Sequence, residues 1–132
     1  MPVRKLVVDH VTIGVSDLSR SRAFYEAALE PLGLGQSRSH EALPGEVEFG
    51  PDGLTDFAIS TAYRVGAPVH VAFAADSHEQ VDAFHAEAMA AGGVDHGAPG
   101  IRPEYGERYY GAFVLDPDGH NVEAVFHGDA QS

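Results

Sequence analysis

The 132-residue sequence contains no cysteine. Disulfide bonds, thiolate nucleophiles and cysteine metal ligands are therefore excluded. The chain is also poor in basic residues, with 8 Lys and Arg against 20 Asp and Glu, and its formal net charge is −12. Such a surface repels phosphate backbones and anionic membranes, so we expect neither nucleic acid nor a membrane as a partner.

Long apolar runs are missing as well. No window approaches the length of a membrane span, and the N-terminal stretch MPVRKLVVDH lacks the apolar core of a signal peptide. There is also no phosphate-binding glycine loop and no serine in a nucleophile-elbow context. The length and the 44% hydrophobic content predict one domain spanning residues 1–132, with the cytoplasm as its expected location.

The chain contains an internal repeat. Residues 9–33 and residues 69–93 share apolar and glycine positions at a constant offset, which aligns His10 with His70. Each copy has a short apolar strand, a polar break with capping side chains, an amphipathic helical pattern and a closing glycine. The histidine lies in the strand in both copies.

The rest of each half continues with strand and turn patterns. Together they predict two modules with the order strand, helix, strand, strand, strand, at residues 5–61 and 67–128, joined by a linker near 62–68. The predicted helices begin near residue 18 and after residue 77, and the region 98–108 is predicted to be a loop. The predicted strands lie at residues 6–15, 34–40, 47–49, 54–60, 68–74, 94–97, 109–115 and 121–127.

The last predicted hairpin allows a prediction of strand register. With residues 117–118 as a two-residue loop, Glu123 lies opposite Ala112. Because side chains alternate along a strand, Tyr110 then shares the face of Glu123 and Tyr109 does not.

Three residues have the chemistry of metal ligands. His10 and His70 occupy equivalent positions in two halves related by approximate symmetry, so they can meet at the symmetry axis. Glu123 interrupts the apolar run 122–126, and a buried carboxylate needs a partner. Imidazole and carboxylate ligands suit Fe²⁺, Mn²⁺, Ni²⁺ or Zn²⁺. A solvent-facing Glu123 explains the same pattern, and both interpretations remain open from the residues alone.

Four further residues are candidates for substrate binding. Thr12 shares the face of His10 by alternation, although it is equally a common strand residue. Arg102 and Tyr105 lie in the long predicted loop, where Arg102 is either a partner for an anionic substrate group or a solvated charge. Tyr110 is predicted to lie beside Glu123. Glu123 is also the candidate catalytic residue.

The stretches DHVTIGVSDLSRSRAFY, HVAFAADSHEQVDAFH and YGAFVLDPDGHNVEAVF together resemble the vicinal oxygen chelate superfamily over about residues 7–127. That superfamily includes glyoxalase I, bleomycin-resistance proteins, fosfomycin transferases and extradiol dioxygenases. The resemblance implies an α+β fold of two tandem βαβββ modules whose mixed sheets form a metal-binding cavity, often completed across a homodimer. It also implies that His10, His70 and Glu123 bind one divalent metal ion.

The sequence departs from individual branches of this superfamily. Glyoxalase I-like enzymes have a fourth, carboxylate ligand in the first module, where the hairpin offset places Phe57. Phe113 stands where extradiol dioxygenases have a tyrosine, whereas Thr12 and the DPDGH stretch at 116–120 are similar to fosfomycin transferases.

The resemblance therefore implies a divalent-metal-dependent, glyoxalase-like enzyme that acts on a small oxygen-chelating molecule. Lyase, isomerase or dioxygenase-type chemistry fits such a site, and a homodimer is expected. Two alternatives are a bleomycin-resistance-type protein that binds a small molecule without catalysis and a fosfomycin-transferase-like resistance enzyme.

Overall fold

The computed structural model describes residues 7–37 and 44–128. The elements are, in chain order, β1 (Val11–Gly14), α1 (Leu18–Leu29), β2 (Gly35–Gln36), β3 (Glu46–Gly50), β4 (Phe57–Ser60), β5 (His70–Ala74), α2 (His78–Ala90), β6 (Val94–Ile101), β7 (Tyr110–Leu115) and β8 (Asn121–Phe126). Short 3-10 turns follow α1 and β3, at Glu30–Leu32 and Pro51–Gly53. Parts of the strands predicted at 6–15 and 34–40 lie outside the described residues.

The strands form two four-stranded mixed sheets of identical topology. The strand orders are β1-β4-β3-β2 and β5-β8-β7-β6, and in each sheet the first strand pairs in parallel with the last strand of its module. This arrangement confirms the predicted fold of two tandem βαβββ modules. In the part of the chain that the structure describes, β1 and β5 are edge strands, each with one neighbouring strand.

Both helices begin at the predicted caps. The side chain of Asp17 accepts a hydrogen bond of 3.1 Å from the backbone N–H of Arg20, and the side chain of Ser77 accepts one of 3.1 Å from that of Gln80. Each helix packs its apolar face on its sheet, and a continuous core joins the two halves. Its fully buried helical side chains include Phe24, Tyr25, Ala28, Leu29, Val81, Phe84 and Ala88. Within the described residues, neither helix is long and apolar enough to cross a bilayer.

The buried ring of His120 connects the two halves. Its Nδ1 accepts a hydrogen bond of 3.1 Å from the backbone N–H of Val69, just before β5. Its Nε2 therefore carries the proton and donates a bond of 2.9 Å to the carbonyl of Gly14, at the end of β1. The contact between the rings of Phe57 and Phe73, whose centres are 5.1 Å apart, joins the modules on the core side.

The predicted β7–β8 register is wrong by one residue. Glu123 lies opposite Phe113, not Ala112. The loop has three residues rather than two, because the backbone N–H of Asp116 bonds to the carbonyl of His120 at 2.9 Å and Gly119 adopts a left-handed φ of 89°. A shift of one residue exchanges the faces of β7, so Tyr109 and not Tyr110 lies on the side of Glu123.

Strand β6 also differs from its prediction. It continues to Ile101, through residues that the sequence assigns to a loop. Its pairing with β7 shifts between Asp95 and Gly97 and again between Gly97 and Gly100. These irregularities are bulges, which allow a strand to continue through glycine and proline while changing the direction of its backbone.

Candidate functional site

Glu123 lies on the face of the second sheet that points away from the helices. Its neighbours Val122 and Ala124 point into the core, so alternation turns Glu123 to the opposite side. Its side chain is nevertheless only 1% exposed. A buried carboxylate on an otherwise accessible sheet face must be covered and bonded by its neighbours.

Two side chains bond to the two oxygens of this carboxylate. The Nε2 atom of His70, on the adjacent strand β5, is 2.8 Å from Oε1 of Glu123. The hydroxyl of Tyr109 donates a short hydrogen bond to Oε2. Burial and this bond to Glu123 raise the pKa of Tyr109 well above its ordinary value, so the phenol remains the donor. Since the side chain of His70 is 51% exposed, the pair is accessible from its histidine side.

Asn121 adds an unsatisfied acceptor beside this pair. It pairs with His70 in the β5–β8 ladder and has the same strand parity as Glu123. Its Oδ1 atom is the buried side-chain oxygen without a hydrogen-bond partner within the described part of the chain. Buried acceptors are rarely left unpaired, so this oxygen needs a donor that the described residues do not supply.

Aromatic side chains and one cation surround the pair. The ring centres of Phe113 and His70 are 6.0 Å apart, and the guanidinium carbon of Arg102 lies 5.3 Å from the centre of the Phe113 ring. Tyr105, which is 63% exposed, has its ring centre 5.0 Å from that of Tyr109. The predicted candidates Arg102 and Tyr105 therefore lie near the Glu123 face.

Tyr110 lies elsewhere. Its hydroxyl donates a bond of 2.6 Å to Asp82 on α2, and its ring stacks on His78. The bond to Asp82 and partial burial raise its pKa to about 12. Tyr110 thus contacts the helix layer, and the prediction that placed it beside Glu123 is wrong for the register reason given above.

His10 immediately precedes β1, at the edge of the first sheet. Its Nδ1 atom is 2.8 Å from Oδ1 of Asp9, and its side chain is 57% exposed. The hydrogen bond to Asp9 raises the pKa of His10, and the charges of Glu48 and Glu46 add to this effect. His10 therefore lies in an acidic part of the first module.

The face of the first sheet that carries Thr12 has a carboxylate of its own. Thr12 pairs with Ala58, and Ala58 pairs with Glu48 on β3. Glu48 is almost buried, and the hydroxyl of Thr55 donates a bond of 3.0 Å to its Oε1. Glu48 was not among the predicted site residues, although the sequence shows it as a charged residue between two apolar ones, Val47 and Phe49.

The equivalent of Glu123 in the first module is Ala58, not Phe57. In the second module Glu123 pairs with Ala72 of β5, and in the first module the corresponding Thr12 of β1 pairs with Ala58. Phe57 points into the core. The position of the fourth ligand of glyoxalase I-like enzymes therefore holds no carboxylate in this chain. The sequence led to the same conclusion, although it assigned this position to Phe57.

The structure does not bring the three predicted metal ligands together within one chain. Among residues 7–37 and 44–128, no three His, Asp or Glu side chains form a group that could hold a metal ion. His70 and Glu123 are paired, whereas His10 belongs to the edge of the other sheet. Tyr109 and Asn121 complete the Glu123 site, and neither was predicted as a site residue from the sequence. Tyr109 was missed because its side of the sheet depends on the β7–β8 register.

The sequence model of the Glyoxalase/Bleomycin resistance protein/Dioxygenase superfamily matches residues 7–124. The chain therefore belongs to this superfamily, whose members bind small molecules. A solved structure described as a glyoxalase/bleomycin resistance protein from Albidiferax ferrireducens is 34% identical, with a TM-score of 0.72 over 91% of this chain and 98% of the other. No curated protein matches the chain.

Two more distant structures share the fold. One is a lactoylglutathione lyase from Agrobacterium tumefaciens, with 21% identity, a TM-score of 0.65 and coverage of 93% of this chain and 95% of that chain. The other is an antibiotic binding protein from a Streptomyces species, with 19% identity, a TM-score of 0.65 and coverage of 96% and 100%. Since one neighbour is named as an enzyme and the other as a binding protein, the fold alone does not select between these functions.

Proposed function

We propose that this chain is a divalent-metal-dependent, glyoxalase-like enzyme that acts on a small molecule with neighbouring oxygen atoms. In this proposal, His70 and Glu123 of one copy and His10 of a second copy bind the metal ion. The observation that carries the proposal is the pairing of His70 with the buried carboxylate of Glu123 on an accessible sheet face. The superfamily typically binds a divalent metal, which supports the same assignment.

The spacing of the two donor atoms suits a shared metal ion. Ligand nitrogen and oxygen atoms lie about 2.1 Å from ions such as Zn²⁺, so two ligands at a right angle are about 3.0 Å apart. The Nε2 atom of His70 and the Oε1 atom of Glu123 are 2.8 Å apart. The distance between the two atoms is therefore close to that of adjacent ligands of one ion, and His70 and Glu123 are the residues that would hold it.

The environment of His10 also fits a metal ligand. Metal-binding histidines commonly donate their second ring N–H to a carboxylate, which fixes the tautomer. The Nδ1 atom of His10 contacts Asp9 in this way, and the tautomer that donates from Nδ1 leaves the Nε2 lone pair available.

A second copy of the chain is the proposed source of the third ligand. Among residues 7–37 and 44–128, β1 and β5 each have an edge without a strand partner, and such edges favour pairing with another chain. Exposed valines flank both histidines, namely Val7, Val8, Val11 and Val69. A dimer that joins the edge of β1 to the edge of β5 from the other copy buries these valines and brings His10 to the His70–Glu123 pair.

Around the metal, the side chains have separate roles in this proposal. A bound divalent ion supplies Lewis-acid stabilisation of developing negative charge on substrate oxygens. Tyr109 holds Glu123 in position through Oε2. Thr12, on the facing sheet of the second copy, is a further candidate for a substrate contact.

A second candidate function is metal-free binding of a small molecule. It is favoured by the fact that His70 and Tyr109 already satisfy both oxygens of Glu123, so the carboxylate is stable without an ion. The two candidates differ in metal content, which makes metal the first quantity to measure.

The test is elemental analysis of untagged protein after reconstitution with Fe²⁺, Mn²⁺, Ni²⁺ or Zn²⁺. We expect one ion per chain in the wild type and loss of the ion in the variants His10→Ala, His70→Ala and Glu123→Gln. His96→Ala is the matched control, because His96 is an exposed histidine on β6. Absence of metal from the wild type under every condition overturns the enzyme proposal and leaves the binding protein.

A mixed dimer tests whether the site is shared between copies. The variants His10→Ala and His70→Ala are given different tags, refolded together and purified through both tags. If each site uses His10 of one copy and His70 of the other, the mixed dimer has one intact site and recovers half of the wild-type metal. If each site lies within one chain, the mixed dimer recovers none.

A further inference from the structure

Arg102 is a half-buried cation that has no carboxylate partner in the described part of the chain. Its Nη2 atom donates a bond of 2.7 Å to the carbonyl of Ala98. A guanidinium carries five N–H donors, and this carbonyl is the one acceptor they have among residues 7–37 and 44–128. In a protein with 20 acidic and 8 basic residues, this arginine is thus held away from the described carboxylates.

Two glycines of β6 leave room for the guanidinium. A Cβ atom at Gly97 would lie 3.0 Å from Nη2 of Arg102 and 2.9 Å from the ring of Phe113, and one at Gly100 would lie 3.2 Å from Nη1. The pairing of β6 with β7 shifts register on both sides of Gly97, as in a bulge. Arg102, which directly follows β6, lies over the Phe113 ring in space that β6 leaves free of side chains at these two positions.

Phe113 connects Arg102 with the proposed metal site. Phe113 lies directly opposite Glu123, and its ring is near that of His70. Glu123 is not the missing partner of Arg102, because its two oxygens bond to His70 and Tyr109. The free donors of Arg102 are thus available to a molecule bound beside His70.

We propose that Arg102 binds the carboxylate of an aromatic acid whose ring packs against Phe113, Tyr105 and Tyr109. The inference rests on the proposed function for the position of the ligand beside Glu123. A guanidinium binds a carboxylate through two parallel hydrogen bonds, which matches the free donors. The exposed ring of Tyr105, next to that of Tyr109, supplies an aromatic surface beside this charge.

The test compares 2-naphthoate with 2-naphthamide, which share a ring system but differ in charge. Binding to metal-free protein is measured by isothermal titration calorimetry. We expect the wild type to bind the carboxylate at least about tenfold more tightly than the amide. Arg102→Gln abolishes this preference, and Arg102→Lys retains part of it, because lysine keeps the charge but not the planar pair of donors.

Arg22→Gln is the matched control. It makes the same change in net charge on α1, where Arg22 pairs with Glu26, and we expect the preference to remain. Equal affinity for the two compounds in the wild type, no binding of either at millimolar concentration, or a preference that survives Arg102→Gln overturns the proposal. So does dissociation of a dimer by Arg102→Gln without loss of naphthoate binding, because Arg102 would then pair with a carboxylate of the second copy. Because this experiment uses metal-free protein, failure of the metal-binding proposal does not change the expected preference for the carboxylate, and the two proposals can fail separately.

Discussion

The hydroxyl of Tyr25 on α1 donates a hydrogen bond of 2.5 Å to Oδ2 of Asp116, which directly follows β7 in the other half of the chain. Both residues are buried. The second oxygen of Asp116 accepts the backbone N–H groups of Asp118 and His120 at 2.9 and 2.8 Å. One buried carboxylate therefore joins the first module to the loop that sets the β7–β8 register, and that register places Tyr109 on the side of Glu123.

The variant Tyr25→Phe is expected to lower the free energy of unfolding by about 2 kcal/mol, because it leaves one oxygen of a buried carboxylate unpaired. Urea denaturation at neutral pH measures the change. Tyr63→Phe is the matched control, since Tyr63 is 59% exposed, and its change is expected to stay within about 0.5 kcal/mol. Equal effects of the two substitutions would contradict the role of the Tyr25–Asp116 bond.

Ionisation of the Tyr25 phenol makes the free energy of unfolding sensitive to alkaline pH. Burial raises the pKa of Tyr25 well above its usual value, and the charge and hydrogen bond of Asp116 raise it further. The folded state thus favours the neutral phenol. The contribution of Tyr25 to the free energy of unfolding is therefore complete below the pKa of about 10 in the unfolded chain, and it is lost as the pH rises above that value. The difference in unfolding free energy between wild type and Tyr25→Phe is expected to narrow above that pH. A difference that stays constant to higher pH would refute the assignment.

Much of the fold follows from the sequence because local signals agree with the repeat. The offset that aligns His10 with His70 predicts two equal modules, and the caps Asp17 and Ser77 fix the starts of both helices. The resemblance implies that His70 and Glu123, with His10, bind one metal ion, and the structure places the side chains of His70 and Glu123 2.8 Å apart. Whether they bind metal stays a prediction.

The sequence could not predict the partners that depend on one loop residue or on long-range packing. With Gly119 as part of the loop, the β7–β8 register places Tyr109 on the face of Glu123. A two-residue loop would place Tyr110 on that face instead. The position of Arg102 depends on bulges in β6, which the glycines permit but do not specify. Whether His10 reaches the His70–Glu123 pair depends on how the modules or two copies of the chain pack, for which no local pattern exists.

Replacing Tyr109 tests how the carboxylate of Glu123 is held. If Glu123 binds metal, then Tyr109→Phe removes the hydrogen bond that orients this ligand, and metal affinity is expected to fall tenfold to about a hundredfold. Competition titration with a chromogenic chelator measures the affinity for Zn²⁺ or Ni²⁺. Tyr110→Phe is a close control, because Tyr110 also bonds to a carboxylate, that of Asp82, but on the helix side. Equal affinities of the two variants would exclude an orienting role for Tyr109.

The repeat aligns two glycines that the structure uses differently. Gly33 ends the helical region with a left-handed φ of 77°, and no atom of residues 7–37 or 44–128 lies within 4 Å of a Cβ added there. A Cβ added at Gly93 would lie 2.4 Å from Val114, and 2.9 Å from both the carbonyl of Ala88 and the ring of Phe24. Gly33 is therefore required by its backbone conformation and Gly93 by close packing.

Alanine substitutions separate these two requirements. Gly33→Ala is expected to cost about 1 kcal/mol of unfolding free energy, the usual cost of the left-handed conformation for a residue with a Cβ. Gly93→Ala is expected to cost about 3 kcal/mol, because a carbonyl and packed side chains must move. Gly66→Ala is the control, since a Cβ there meets no atom of the described residues within 4 Å and its φ needs no glycine. Its effect on the unfolding free energy should be near zero or slightly stabilising. Urea denaturation ranks the three variants. A cost at Gly93 no larger than that at Gly33 would show that the packing around Gly93 is looser than these contacts require.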